Sequence, residues 1–444
     1  MNNKSKRIIV IGGGFGGIYA GKRLEKIFKR NSQVEIILLS EKNYLLFTPM
    51  LPEVPANSIE AKHIVSPIRT FFRKVKFQNS TVESIDIERK LIKTYHCSKC
   101  GPIMLKYDYL ILAPGSLTNY FGLAGVAENA LPVKTLEDAM SLRNHVIDLL
   151  EHADMEPDPD IRKKMLTFVV AGGGFAGVET AAHLQDFLSA AHRFYPTIQP
   201  DDFRVVLVHA GSRILPELSE RLAAYALAQL QKHKIDILLN TRVSSATSYE
   251  IELDDQRKIS SQTLIWTTGT TPNSILSDLH CKKNQRGQIV VDEYLQVADL
   301  PGVWAIGDSA KIPDPDSGGF YPPTAQHAVR EGKRVADNIA SEILGGEKKP
   351  FRFKPIGVLA ALGHQSAVAE VFGIRFSGFL AWWMWRTIYL LKLPGLLSKL
   401  RVAIDWTLDI FFPRDILLLK PFMKKDISTS DSGTAMEEPH HLHH

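Results

Sequence analysis

Two glycine clusters carry spacing from which chemistry can be read. Ile8-Ile9-Val10-Ile11 runs into Gly12-Gly13-Gly14-Phe15-Gly16-Gly17, and Phe168-Val169-Val170-Ala171 runs into Gly172-Gly173-Gly174-Phe175-Ala176-Gly177-Val178-Glu179. Each is a G-x-G-x-x-G after a β-branched stretch. In such a turn the first glycine permits the tight bend, the second lets backbone approach a pyrophosphate, and the third lets helix and strand pack closely. The helix that opens behind it offers unpaired N–H groups and a partial positive charge to phosphate oxygens. One copy is a weak signal. Two copies 160 positions apart, the second lying before a late Gly307-Asp308, say that one chain holds two nucleotides, with one nucleotide unit inserted into the other.

The strand ends qualify this reading. A carboxylate after the second strand of such a unit usually takes the ribose hydroxyls. In the first unit Ser40-Glu41 stand there, and either could make the contact. In the second unit the strand Arg204–Val208 ends in His209-Ala210-Gly211-Ser212-Arg213. A carboxylate selects the 2′-hydroxyl of NAD and an arginine accommodates the 2′-phosphate of NADP, so His209 leaves NADH and NADPH both open. Ala113-Pro114-Gly115-Ser116 ends another strand with small residues that let backbone come close to a flat cofactor, and Thr268-Gly269 closes the second unit. Asp308 is suited to accept hydroxyl hydrogen bonds from a flavin ribityl chain, with a helix dipole behind it. Glu179 reads equally as a proton donor, an electrostatic tuner, or a structural carboxylate favoured near a helix N-terminus.

The elements that must position these residues follow from periodicity. Ile18, Leu24 and Ile27 share one face of a helix predicted over 15–28, and the apolar strand 34–39 suits a parallel sheet covered on both sides. Further helices are predicted over 175–188 and 220–233, a strand near 235–239, and a helix opening at Thr324-Ala325-Gln326. Tyr44 to Pro52 reads as a packed loop, and His152 to Lys164 as a linker. The fold class is α/β: two Rossmann-like domains, one inserted in the other, plus a C-terminal membrane-associating helical segment. The expected units are 1–130 with 300–347 for the first nucleotide, 131–299 for the second, 348–425 as a membrane-anchoring or dimer segment, and 426–444 as a disordered tail.

Composition bounds the partners. The chain has 444 residues, 45% hydrophobic and 23% charged, as expected of a soluble globular protein. A net charge of +5 gives no reason to invoke nucleic acid. Three cysteines cannot build a disulfide framework, which points to a reducing compartment. His96-Cys97-Ser98-Lys99-Cys100-Gly101 has the shape of half a zinc site, but a second pair is missing, so no metal is expected. The apolar run after Lys4, Lys6 and Arg7 is too short for a signal peptide. No apolar run reaches the roughly 18 to 20 residues that span a bilayer; the nearest, Phe376 to Trp385, ends at Arg386. Residues 350–425 hold eleven basic residues against four acids, a local +7, and Phe376 to Arg386 within them concentrates three of the six tryptophans. That mixture suits helices lying in a membrane interface. The alternative is a helix pair packed on the body or on a second subunit, which would make a homodimer.

Both glycine turns, Gly307-Asp308, Thr324-Ala325-Gln326 and the basic, tryptophan-rich C-terminus resemble the type II (alternative, single-subunit) NADH dehydrogenases over about residues 6 to 420. The resemblance implies FAD at Gly12, Gly14, Gly17, Thr48, Asp308 and the Gln326 backbone, with Phe15, Gly16, Ser40, Glu41, Ala113, Gly115, Gly307 and Ala325 beside them. It implies NAD(P)H at Gly172, Gly174 and Gly177, flanked by Phe175, Ala176, Glu179, Thr268 and Gly269. A quinone would reach the flavin beside Gln326 and Glu179, which are the expected catalytic residues. The family commonly has a second glutamine four residues on, where this chain has Arg330; for a family lysine near the quinone, Arg386 is the candidate. Also implied are hydride transfer from nicotinamide C4 to flavin N5, no proton pumping, and a peripheral place on the cytoplasmic face of the cell membrane. A disulfide reductase would need paired cysteines beside the flavin, and none lies near Phe47 to Pro52; a sulfide:quinone oxidoreductase also needs well-placed cysteines. A non-catalytic NAD(P)H-sensing flavoprotein is the remaining alternative, against which the C-terminal segment weighs by implying a lipid-soluble acceptor.

Overall fold

A computed structural model describes residues 5–96, 101–412 and 414–419. Cys97, Cys100, Lys420, Lys424, Lys425 and the 426–444 tail lie outside the described residues.

Two five-stranded parallel sheets repeat one plan. The first runs Val303–Ala305, Tyr109–Leu112, Lys6–Ile11, Val34–Ser40, Lys76–Asn79. The second runs Ala130–Pro132, Thr263–Trp266, Thr167–Ala171, Arg204–Val208, Ile235–Leu238. In each, the strand before the glycine turn is central and flanked on both sides. Ile8, Ile9, Val10 and Leu38 are accordingly fully buried, as are Phe168, Val169 and Val170. Each sheet is accompanied by a three-stranded antiparallel meander, Thr81–Asp86 to Ile103–Lys106 and Val243–Ala246 to Lys258–Ser260. Chain order makes the nesting physical. The last strand of the first sheet, Val303–Ala305, forms only after the whole second sheet has been traversed.

Several boundaries differ from the sequence expectation. Tyr44 to Pro52 is not a loop: it forms a short strand, Tyr44–Leu46, and a 3-10 helix, Thr48–Glu53, because prolines fit the first turn of a helix. His152 to Lys164 is not a linker. It holds the end of the Leu136–Met155 helix and a second helix, Pro159–Met165, capped by Asp158. The C-terminal segment begins with an unforeseen antiparallel sheet, Gly357–Ala361, Ala367–Val371 and Ile374–Gly378, before the helices Phe379–Lys392 and Leu396–Phe411. Asp308 lies inside a three-residue 3-10 turn, Gly307–Ser309, and a short strand, Ala310–Lys311, follows it in place of a helix.

The nucleotide helix Phe15–Ile27 crosses Ala325–Leu344 at very close range. A Cβ at Gly332 would fall 2.3 Å from the Gly16 carbonyl oxygen and 2.9 Å from the Ala20 nitrogen. Arg23 and Asp337 close the same crossing with a 2.6 Å ion pair. Gly332→Val must push the helices apart and should destabilise the protein by at least about 1 to 3 kcal/mol. Thermal denaturation of the variant measures this; an unchanged midpoint would refute the crossing.

Candidate functional site

The two glycine turns are built alike. Gly12 and Gly172 have φ of +111° and +118°, which side-chain-bearing residues rarely adopt. A Cβ on Gly17 would strike the Gly12 carbonyl oxygen at 1.9 Å, and one on Gly177 the Gly172 carbonyl oxygen at 1.7 Å. At Gly14 and Gly174 the reverse holds: a Cβ there meets nothing within 4 Å. Both are helix N-caps without a side-chain cap, so the first-turn N–H groups face open room. That combination of forced closeness and open room fits a dinucleotide pyrophosphate at each turn.

The register decides between Ser40 and Glu41. Gly12 N–H donates to the Leu39 carbonyl as Gly172 N–H donates to that of Val208, so Ser40 corresponds to His209. Both lie under the middle glycine of their turn, since a Cβ on Gly13 would meet Ser40 Oγ at 2.5 Å and one on Gly173 would meet the His209 ring at 2.6 Å. Glu41 is one position late and exposed. The Gly173 N–H donates to His209 Nδ1 at 3.0 Å, and burial lowers the pKa of that imidazole.

Around the first turn the other candidates gather. Ala113 is buried, its carbonyl against Gly12. Gly115 N–H donates to Ser309 Oγ at 3.2 Å, Asp308 accepts from Ser116, and Lys134 Nζ lies 3.4 Å from Asp308. Glu331, buried, accepts from the Gly307 N–H at 2.7 Å. Thr48 is exposed at the opening of its 3-10 helix. Ala325 and Gln326 begin their helix behind the Thr324 cap, and Gln326 Nε2 donates to the Gly357 carbonyl at 3.2 Å. Arg330 is turned to its own surroundings: it donates to the Gln326 carbonyl at 2.9 Å and stacks 4.0 Å from the Phe353 ring. In the second unit Thr268 lies 3.2 Å from the position of a Cβ on Gly172, and Gly269, at φ +77°, is covered by Phe121.

Glu179 leaves the nucleotide unit altogether. Its Oε1 accepts the Ala361 backbone N–H at 2.9 Å and the Trp385 indole N–H at 3.2 Å. Burial raises its pKa to about 8 against those two donors, with Glu53 adding to the rise. Sequence reasoning missed Glu53, although a carboxylate inside an apolar run is a readable oddity. Glu53 Oε2 accepts from the Trp406 indole at 2.9 Å, Oε1 is buried without a hydrogen-bond partner among the described residues, and burial raises the pKa to about 7 against Arg386. Arg386 lies over Trp382 and Trp406, at 4.1 and 4.8 Å from their ring centres. A train of aromatic contacts, Phe15–Phe47–Tyr389–Trp385–Trp406, joins the first glycine turn to this pair of carboxyls.

A family model described as pyridine nucleotide-disulphide oxidoreductase matches residues 6–332, and one described as the NDH2 C-terminal domain matches residues 356–415. A probable NADH dehydrogenase of Dictyostelium discoideum is 31% identical over 425 residues, covering 93% of this chain and 91% of the relative. The chain belongs to the type II NADH:quinone oxidoreductase family. A type II NADH:quinone oxidoreductase of Mycobacterium tuberculosis is 30% identical, with 92% of this chain and 89% of the relative covered. The solved structure of NDH2 from Plasmodium falciparum in complex with NADH shares the fold, with a TM-score of 0.86 at 23% identity over 93% of this chain and 100% of that one.

Both buried carboxyls lie above their ordinary value of 4.5. The folded protein therefore keeps protons that the unfolded chain releases, and the stability this contributes is fully present below pH about 4.5. It is lost as pH rises, to about 7 for Glu53 and about 8 for Glu179. Melting temperatures from pH 5 to 9 should fall for the wild type relative to Glu53→Gln and Glu179→Gln. The fall should be equivalent to a few kcal/mol, because each tenfold change in proton affinity is worth about 1.4 kcal/mol. Parallel pH curves for all three proteins would refute the burial argument.

Proposed function

We propose that this chain oxidises NADH or NADPH with FAD and reduces a membrane quinone, without pumping protons. The observation that carries the reading is Glu179. It belongs to the helix opened by the second glycine turn, yet its carboxyl is held by Ala361 and Trp385 of the C-terminal segment. A group so placed stands between a nucleotide that gives electrons and an acceptor entering from the C-terminal side. FAD would be held by Gly12, Gly14 and Gly17 with Ser40, Ala113, Gly115, Thr48, Asp308 and the Gln326 turn. NAD(P)H would be held by Gly172, Gly174, Gly177, Thr268 and Gly269. When bound, the flavin supplies a carrier that accepts hydride from nicotinamide and passes two electrons on. The task of the protein is alignment, exclusion of water and proton supply. Glu179, protonated below about pH 8, is a proton donor in direct contact with the C-terminal segment.

We assign residues 1–130 and 300–347 to FAD, 131–299 to NAD(P)H, and 348–425 to the membrane. No helix among the described residues is long and apolar enough to cross a bilayer. Instead Phe379, Leu380, Trp383, Leu396, Leu400 and Phe411 are exposed along the two C-terminal helices, with Lys392 and Arg401 exposed beside them. An apolar face edged by cations suits a peripheral position in a membrane interface. Deleting both helices would also remove Trp385 and Trp406, the indole donors to Glu179 and Glu53, so point changes are the cleaner test. Leu396→Glu with Leu400→Glu should abolish cosedimentation with anionic vesicles and leave NADH reduction of the flavin intact; retained binding overturns the membrane assignment.

Purified protein with FAD, NADH and a short-chain quinone should reduce the quinone; NADH oxidation that quinone does not stimulate overturns the assignment. His209 offers no carboxylate to repel a 2′-phosphate, so NADPH should also serve. His209→Glu should raise the NADH-over-NADPH preference in kcat/KM by about tenfold or more.

A further inference from the structure

The Phe175–Ala191 helix carries a polar stripe along a face that packing would ordinarily make apolar. Glu179, His183 and Asp186 are spaced i, i+4, i+7 and share that face over about 10 Å. Glu179 and His183 are 6% and 7% exposed, and the Asp186 side chain 13%. Buried polar groups normally have partners. Here neither ring nitrogen of His183 hydrogen-bonds to a described protein group, and Asp186 Oδ2 is likewise unpartnered. Such atoms are where bound water bridges side chains.

The stripe has two distinct ends. Its inner end is Glu179, at the joint with Ala361 and Trp385. At its outer end Asp186 Oδ1 lies 3.8 Å from Nδ1 of the partly exposed His233, and the same carboxyl accepts the backbone N–H of the exposed His364. Gly363 lies so close above it that a Cβ there would fall 2.8 Å from Asp186 Oδ2. The charged and titratable groups facing the stripe are Glu53 and Tyr389 at Glu179, Arg414 and Arg386 at His183, and Arg414 and Asp409 at Asp186.

We propose that Glu179, His183 and Asp186 form a relay carrying a solvent proton, admitted beside His233, to the site of quinone reduction. The proposal rests on the quinone reading above. The overall balance is NADH + H⁺ + quinone → NAD⁺ + quinol. The two electrons and one proton come from NADH as hydride, and the other proton comes from water. As the Glu179 O–H bond breaks, an O–H bond forms on the quinone oxygen. One nitrogen of His183 returns a proton to Glu179 while the other takes one from Asp186, and Asp186 is refilled from solvent. Glu179 and Asp186 end the turnover as they began, whereas His183 ends as its other tautomer and is reset by a flip of its ring, which no hydrogen bond to a described protein group holds in place. The electrostatics agree: burial, then Arg414 and Arg386, keep His183 neutral, so one nitrogen donates and the other accepts. Burial raises the pKa of Glu179 to about 8, so it holds a proton at neutrality, and that of Asp186 to about 7, so it both gives and takes one there.

The test uses the FAD-loaded full chain in anaerobic stopped flow, with Asp186→Asn, which keeps the shape of the side chain, and His183→Phe. Flavin reduction by NADH should stay within about twofold of wild type. Reoxidation by a short-chain ubiquinone should slow at least about tenfold in both, in the range general acids contribute. Formate or azide, small weak acids, should restore Asp186→Asn, which a merely structural role would not allow. Infrared pH titration of the protein without cofactors should show protonated-carboxyl absorption near pH 7, shared with Glu53 and Glu179, that Asp186→Asn diminishes by one carboxyl. Wild-type reoxidation rates in both variants, slow rates that no small acid restores, or an unchanged infrared band overturn the relay. A wild type whose reduced flavin no quinone reoxidises removes the parent reading instead.

Discussion

The centre of this protein depends on one carboxyl being held where a carboxylate is hard to keep. Glu179 sits on a helix whose direction is dictated by the second glycine turn, and the helix delivers it to a backbone N–H and an indole from a different part of the chain. Each donor favours the charged form, and burial opposes both. Burial wins, so the group holds a proton at neutral pH. Glu53, tied to the neighbouring indole of Trp406, repeats the arrangement and raises the pKa of Glu179 further by its own charge. The two tryptophans bring their ring centres within 6.0 Å of each other, so the C-terminal helices and the two carboxyls form one packed unit.

The duplicated nucleotide units impose the second constraint. In each, a glycine without room for a Cβ fixes the contact of strand and helix, and a glycine with open room leaves the helix N-terminus accessible. The two sheets are connected not only in sequence but by a small antiparallel pair, Ser116–Thr118 with Thr270–Pro272, which follows Gly115 in one unit and Gly269 in the other. The glycine turns therefore cannot move independently of the segments that would line the space between two stacked cofactors. The close crossing at Gly16 and Gly332, closed by the Arg23–Asp337 ion pair, ties the helix behind the first glycine turn to Ala325–Leu344.

Much of this is legible in the sequence, and the misses have physical causes. The glycine turns are local devices, and their spacing alone specifies a backbone conformation. Tyr44 to Pro52 misleads because prolines mark both loops and helix openings, and only tertiary contacts choose. His152 to Lys164 misleads because polarity alone does not distinguish a linker from an exposed helix; the Asp158-Pro159 cap is the available signal. The antiparallel sheet 357–378 reads in sequence as a mixture of small and apolar residues with no clean alternation. The i, i+4, i+7 stripe on the Phe175–Ala191 helix is visible as spacing, but its burial is not.

The sequence by itself determined the two glycine turns, the nesting of one unit in the other, and the basic aromatic C-terminus, because each depends on short-range patterns or chain order. Tertiary structure alone decided which of Ser40 and Glu41 lies beneath the turn, since that depends on strand register. It alone brought Glu53, Trp385 and Trp406 to Glu179, contacts that join residues up to 353 positions apart. It also decided the protonation of those carboxyls. A pKa follows from what surrounds a group in space, and no spacing along the chain encodes that.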